Sequence, residues 1–496
     1  MLNQRMTSSF LMRRLTPLAL AAFMAGCSMM PAYEQPATPV ASEYPTNGLT
    51  DPGLQGGEGQ QLARWQDFVD NAQLRELIDL SLSNNRDLRV ATLSIEQARA
   101  QYSLAGAGPF PTISAGLSAQ RQSTGGGSGN DSTISSSYAG GLMVSSWEID
   151  FFGRLASLTE AARANFLSTA YAREAVQTSL IASVASAWLN LQTATAMVEL
   201  TEQTLQTREE SQKLTQLRFD SGVASALEMR QAESLTASAR ATLAEQLRLR
   251  AQAVNALTLL VGQTIEPRLL QASDLPLDVF ADVPAGLPSD LLIRRPDIQQ
   301  AEWSLRSANA NIGAARAAFF PSISLTASAG SASSHLSDLF SSGTFGWSLA
   351  PQALLPIFDA GRNRANLRGA EAARDIAVAQ YEKSIQSAFS EVADALAGRA
   401  TLGNQLQAQQ DLVEAEQQRY ELSDLLYRSG VASSLDALDA QRSLFAAQQA
   451  VLQTRSTLLA NRVALYRVLG GGWNDQQDLS AVAAEPASES VGSGSE

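Results

Sequence analysis

Apolar positions along the chain follow two periods, and the change from one to the other happens twice. Over about 64–105 and about 290–318 they recur at three- and four-residue spacing, the mark of a helix with one buried face. Each segment runs into a proline-bounded stretch of alternating apolar and small or polar residues, the period of a strand. Pro111–Gln120 and Tyr138–Glu148 flank the loop Ser123–Thr133, and Pro321–Gly330 and Phe345–Ile357 flank a loop that holds His335. Strands are predicted at about 110–121, 138–149, 320–330 and 345–357. Their lengths suit tilted membrane-spanning strands of about 9–11 residues. Long Ala-, Gln- and Leu-rich segments follow at about 154–218 and 362–428, with no internal proline. A helix of roughly 64 residues extends roughly 95 Å, so these two elements must pack lengthwise against neighbours.

The pattern is one unit written twice. Gly108-Pro109-Phe110-Pro111-Thr112-Ile113-Ser114 matches Ala318-Phe319-Phe320-Pro321-Ser322-Ile323-Ser324 at an offset of 210, as Asn85-Arg86-Asp87-Leu88 matches Arg295-Pro296-Asp297-Ile298. Further on, Ser221-Gly222-Val223-Ala224-Ser225 returns as Ser429-Gly430-Val431-Ala432-Ser433, and Leu260-Val261-Gly262 as Val468-Leu469-Gly470, both at 208. A period this long describes a duplicated domain rather than a solenoid. The expected fold is mainly α with a small β part: very long helices plus four transmembrane strands.

Composition removes several classes of function. Among 496 residues there is one Cys and one His, which excludes a disulfide framework and most zinc sites. No cofactor, metal or catalytic constellation is expected; His335 lies in a Ser-rich loop with no nucleophile or acid beside it, so no enzyme is predicted. A formal charge of −13 argues against a nucleic-acid partner. No stretch of about 18 apolar residues occurs, so a membrane can be crossed only as a β-barrel.

The amino terminus reads as an export signal: Arg5, Arg13 and Arg14, the apolar run Leu15–Phe23, then Met24-Ala25-Gly26-Cys27. Its end resembles the bacterial lipoprotein box, which implies that Cys27 is acylated. Loss of 1–26 removes three Arg and no acid, taking the formal charge to −16. The predicted organisation is a signal at 1–26, a lipidated linker at 27–61, a first repeat at 62–270, a linker at 271–289, a second repeat at 290–473 and a disordered tail at 474–496.

Each long helix is expected to stop at a glycine, Gly222 or Gly430, and the next to start at Ser225 or Ser433. Glu228 and Asp436 follow three residues later, a capping-box spacing. Asp439 lies on nearly the same face as Asp436, and capping does not explain it; an ion pair with Arg442 is the plain alternative.

These residues resemble the outer-membrane channel lipoproteins of tripartite resistance-nodulation-division efflux pumps. The resemblance rests on Arg294-Arg295-Pro296-Asp297-Ile298, on Ile312-Gly313-Ala314-Ala315-Arg316-Ala317-Ala318-Phe319-Phe320-Pro321, on Leu438-Asp439-Ala440-Gln441-Arg442 and on Leu469-Gly470-Gly471-Gly472-Trp473. It covers about 62–473 and implies a homotrimer in the outer membrane of a Gram-negative bacterium. Three chains then share one 12-stranded barrel above a periplasmic α-helical tunnel, and drugs and other small toxic molecules pass through it passively. The implied partners are a periplasmic adaptor, an inner-membrane resistance-nodulation-division transporter and outer-membrane lipid. The tips Gly222-Val223-Ala224-Ser225 and Gly430-Val431-Ala432-Ser433 are then the adaptor contacts. Position by position, Leu435 matches an apolar ring of the aperture, Asp439 an inner acid ring and Asp436 a second acid. Glu228 and Tyr427 match residues that hydrogen-bond neighbouring hairpins. Three copies of Asp436 and Asp439 imply six nearby carboxylates, a ring that attracts cations and is stabilised by a bound cation or a raised pKa. Two other readings fit the same pattern in part: a duct for polypeptides working with an ABC transporter, and a periplasmic coiled-coil scaffold.

Overall fold

The computed structural model describes residues 28–41, 44–45, 64–124, 133–271, 277–282 and 295–471. The predicted signal, Cys27 and the 474–496 tail lie outside them.

The helical stretch expected over 64–105 is three helices: α1 (Trp65–Phe68), α2 (Ala72–Asn84) and α3 (Arg86–Ala107). Asparagines make the breaks. Asn71 caps α2 by accepting from the Leu74 N–H at 2.9 Å, and Asn85 caps α3 by accepting from Asp87 and Leu88. Strands β1 (Ile113–Thr124) and β2 (Thr133–Ile149) follow, then the long hairpin α4 (Arg154–Asp220) and α5 (Ala226–Val261). The second copy runs α6 (Pro296–Ala317), β3 (Ser322–Ser333), β4 (Phe345–Leu354), α7 (Arg362–Arg428) and α8 (Ser434–Val468). Helices α4 and α7 have 67 residues each, about 100 Å of helix.

The strand limits differ from the expected ones for local reasons. β1 and β3 begin after Pro111 and Pro321, and β4 ends before Pro356, while Pro351 is kept within β4, opposite Leu325, because β4 is an edge strand of the sheet and one of its sides carries no ladder. β2 starts five residues earlier than the alternation indicates; Ser135, Ser136 and Ser137 pair regularly with β1 without an apolar face to announce them.

The four strands form one antiparallel sheet in the order β1-β2-β3-β4. Register puts Ile113, Leu117, Leu142, Phe345, Trp347 and Leu349 on one face. On the opposite face Gly116, Gly141, Gly330 and Gly346 stand in one row across all four strands. Leu117, Phe345 and Trp347 are 70–79% exposed, an arrangement that water tolerates poorly and lipid favours. Among the described residues, the outer edges of β1 and β4 have no partner.

Each strand pair passes into a long helix through an aspartate and a glycine. Asp150 accepts from the N–H groups of Arg154 and Ala156, and Asp359 from those of Gly361 and Asn363. Gly153 and Gly361 take the left-handed conformation (φ 70° and 87°) that turns the chain into the helix.

The main core lies partway along the helices, where both hairpins meet the amino-terminal helices. Trp188, Leu191, Tyr381, Ile385, Leu459 and Tyr466 are buried there, and Phe68 stacks on both Phe280 and Tyr466. Part of the expected 271–289 linker belongs to this core: Phe280 bridges to Val69, and Asp70 donates to the Val279 carbonyl at 2.9 Å. The expected 27–61 linker is also packed where described. Asn309 donates to the Pro31 carbonyl, Tyr33 to Glu302 and Gln35 to Tyr381, while Tyr44 stacks on Phe389 at 5.0 Å. Successive contacts at 313, 309 and 302 on α6 and at 381 and 389 on α7 show the strap running along both helices. Burial pushes the Tyr33 hydroxyl up to about 12, so it stays a donor to the Glu302 carboxylate at any physiological pH.

Candidate functional site

The two hairpins end in matching turns. Gly222 (φ 75°) and Gly430 (φ 79°) are left-handed, and the amides beyond them turn back onto the helix ends. Val223 and Ala224 donate to the Arg218 carbonyl at 2.8 and 3.1 Å; Val431 and Ala432 donate to the Leu426 carbonyl at 2.9 and 3.2 Å. Val223 and Val431 project outward at 67% and 76% exposure. Both tips thus present the same Gly-Val-Ala-Ser segment on turns whose Gly, Val and Ala amides are hydrogen-bonded back to the helix end.

The helices that return from the tips start differently. Ser225 accepts from the Glu228 N–H, and the Glu228 carboxylate accepts from the Ser225 N–H at 2.7 Å, completing a capping box. Asp436 is one methylene shorter; its carboxylate takes the Ser433 hydroxyl at 2.8 Å, while Ser433 still caps α8. The extra reach of Glu228 has a second use, since its other oxygen accepts from the Ser434 hydroxyl at 2.9 Å. That bond joins one hairpin to the other. The Ser225 amide, followed by Ser434, holds the Glu228 carboxyl below the usual carboxylate range.

Tyr427 is buried, but it makes no hydrogen bond between hairpins within the protomer. The Arg218 guanidinium lies over its ring instead, 4.7 Å from the centroid, a cation–π contact from α4 to α7. Arg428 pairs with Asp424 at 2.7 Å on its own helix. Leu435 is 58% exposed at the first turn of α8.

Asp439 is not a bare acid. Arg419 reaches it from α7 at 2.6 Å, and Arg442 holds its other oxygen from one turn along α8. The hydrogen bond from Arg419, with Arg442 beside it, lowers the Asp439 pKa, opposite to the shift expected of unaccompanied carboxylates in a ring. Arg442 was legible in the sequence as a partner three residues on. Arg419 was not singled out, although folding the chain at Gly430 places it opposite Asp439. Ser434 was missed as well, because its partner lies 206 residues away.

A sheet with a lipid-suited face and two open edges, continuous with helical hairpins about 100 Å long, defines a subunit of a membrane channel with a long helical extension. The chain belongs to the outer membrane efflux protein family, whose model matches residues 77–263 and again 287–471. The two matches start 210 residues apart and end 208 apart, the offsets read from the internal repeat. The chain is 48% identical over 467 residues to the antibiotic efflux pump outer membrane protein ArpC of Pseudomonas putida, covering 94% of this chain and 96% of the relative. It is 42% identical to the cation efflux system protein CusC of Escherichia coli O157:H7, covering 93% and 99%. The solved open state of the Neisseria gonorrhoeae MtrE outer membrane channel superposes with a TM-score of 0.80 at 39% identity, covering 90% of this chain and 98% of that one. The protein is an outer-membrane channel component of an efflux pump, set in the outer membrane of a Gram-negative bacterium and extending into the periplasm.

Proposed function

We propose that three copies close the open sheet into one 12-stranded barrel, with six helical hairpins forming the periplasmic tunnel below it. The observation that carries this reading is the pair of long unpartnered edges, β1 and β4. Four strands are too few to close a barrel, and leaving both edges open in lipid strands every outward backbone group. Acylated Cys27 supplies a lipid anchor at the start of the strap. The tips Gly222–Ser225 and Gly430–Ser433 engage a periplasmic adaptor, which links the duct to an inner-membrane resistance-nodulation-division transporter. The chain carries out no chemistry of its own. Antibiotics and other small toxic molecules pass through by a gradient that the transporter maintains. Relatives of similar identity are named for antibiotics and for cations, which supports a duct with little cargo selection of its own.

In this assembly Leu435 narrows the aperture, and Asp436 and Asp439 from three chains line it. The Arg419 and Arg442 pairs offset much of the Asp439 charge, so Asp436 carries more of the cation preference than the carboxylate count alone indicates. Single-channel recording of purified protein in planar bilayers tests the assignment. Heat-resistant trimers are expected on detergent gels, and Asp436→Ala/Asp439→Ala is expected to reduce cation selectivity. Unchanged selectivity removes both acids from the aperture.

A further inference from the structure

The loop that holds His335 does not stand above the sheet as a free hairpin tip. β3 and β4 stop pairing at Ser331 and Phe345, level with Gly140, whereas β1 and β2 go on pairing beyond that level to Thr124 and Thr133. Leu339, midway along the loop, is only 4% exposed. Its seat is on the sheet. Gly140 lies opposite Leu117 on the lipid-suited face, and a Cβ there would meet Leu339 Cδ2 at 3.7 Å. The loop therefore folds back past β3 onto the outer wall and fills the space that Gly140 leaves.

The loop has two faces of its own. Leu336, Leu339 and Phe340 are spaced i, i+3, i+4 around the short 3₁₀ turn Leu336–Asp338, and Ser337, Asp338 and Ser341 stand exposed between and beyond them. Leu336 and Phe340 are 65% and 80% exposed on either side of the seated Leu339. The backbone is satisfied from within, as a segment beside lipid requires. Asp338, Leu339, Ser341 and Thr344 donate their amides to the carbonyls of His335, Leu336, Asp338 and Ser341.

Register gives the depth. On the outer face the row of Ala119 and Tyr138 is followed, away from the helices, by Arg121, Ser123 and Ser136, with Ile134 alone apolar among them. That row is the outward limit of the lipid-facing band. Gly140 lies two residues inside it, about 7 Å along the strand and about 5 Å in depth for a strand tilted about 40°. Apolar side chains opposed to polar ones at this shallow depth are the signature of an interfacial segment.

We propose that the loop Ser334–Thr344 is an interfacial anchor for the outer leaflet. Leu339 seats it in the barrel wall, Leu336 and Phe340 enter the lipid acyl chains, and Ser337, Asp338 and Ser341 stay among the headgroups. Three copies would fix the height of the barrel's outer rim. This rests on the closed barrel proposed above, whose failure shows separately as absence of heat-resistant trimers.

Spin labels on the full-length trimer in phospholipid vesicles test this, attached at Phe340→Cys or at Ser337→Cys, with the unsubstituted protein as the blank for Cys27. Collision with oxygen relative to a water-soluble nickel complex is expected to be several-fold higher at 340 than at 337. Equal nickel access at the two positions overturns the anchor. Leu339→Ser and, separately, Gly140→Val are then added to the Phe340→Cys protein. Each is expected to unseat the loop and raise nickel access at 340 several-fold while trimers persist. Unchanged access in both overturns the seat at Gly140.

Discussion

The two halves of the chain build the same joint with different chemistry. In the first, Asn85 precedes α3 and donates to the Leu260 carbonyl at 2.9 Å, near the end of α5; Ser81 donates to the same oxygen. In the second, Arg295 precedes α6 and donates to the Val468 carbonyl at 2.8 Å, at the end of α8. Asn85 and Arg295 are 210 residues apart and the two carbonyls 208 apart, so equivalent positions of the two copies make the same contact. The second joint has become ionic: Arg295 also holds Asp297 at 2.7 Å and Glu391 at 3.2 Å. Duplication therefore conserves where a helix end must be tied down and leaves open which group ties it.

The glycines after these joints sharpen the contrast and carry the largest predicted effect. Gly262 (φ 77°) lies so close to α2 that a Cβ would sit 2.5 Å from the Asn84 carbonyl oxygen, whereas a Cβ on Gly470 (φ 96°) meets nothing nearer than Arg295 Cγ at 3.8 Å. Gly262→Ala adds backbone overlap to left-handed strain and is expected to destabilise by more than about 3 kcal/mol. Gly470→Ala carries the strain alone, about 1–2 kcal/mol. Thermal unfolding followed by circular dichroism separates the two; equal losses would mean the joints are not differently packed. Next in size, Arg295→Met is expected to lose about 3 kcal/mol, at the low end for a broken buried pair because Asp297 and Glu391 stay partly in water. Asn85→Ala is expected to lose about 1–2 kcal/mol, a cap and a neutral hydrogen bond. A larger loss at Asn85 would show that charge adds nothing at the second joint.

Much of this was legible in the sequence, because repetition marks equivalent positions without any knowledge of the fold. The long helices, both tip turns and the glycines that make them follow from periodicity and capping patterns. What stayed hidden depends on contacts between distant segments. Residues 28–41 and 44–45 show no period because they lie outside any helix or strand and ride on α6 and α7 through single side chains such as Tyr33 and Gln35. Residues 279–280 read as linker because two buried residues are too few to show an alternation, yet Phe280 stacks against Phe68 in the core. At the candidate site Asp439 was visible and its neutralisation by Arg419 was not, since nothing local pairs residues twenty apart.

The tips give the smallest and most specific contrast. Glu228 spans Ser225 and Ser434, so Glu228→Ala breaks a cap and the bond between hairpins together; a loss of about 1–2 kcal/mol is expected, with a more readily opened channel. Asp436→Ala leaves the Ser433 cap in place and is expected to change opening by under about 0.5 kcal/mol. The pH dependence distinguishes a charge effect from lost packing. Because the folded pKa of Glu228 is depressed, its contribution is present in full above the unfolded value of about 4.3 and is lost as pH falls through the lower folded value. Wild type and Glu228→Ala should therefore differ by a constant amount from pH 8 to pH 5 and converge only below about pH 4. Convergence already near pH 6 would place the tie between the hairpins on some group other than this carboxylate.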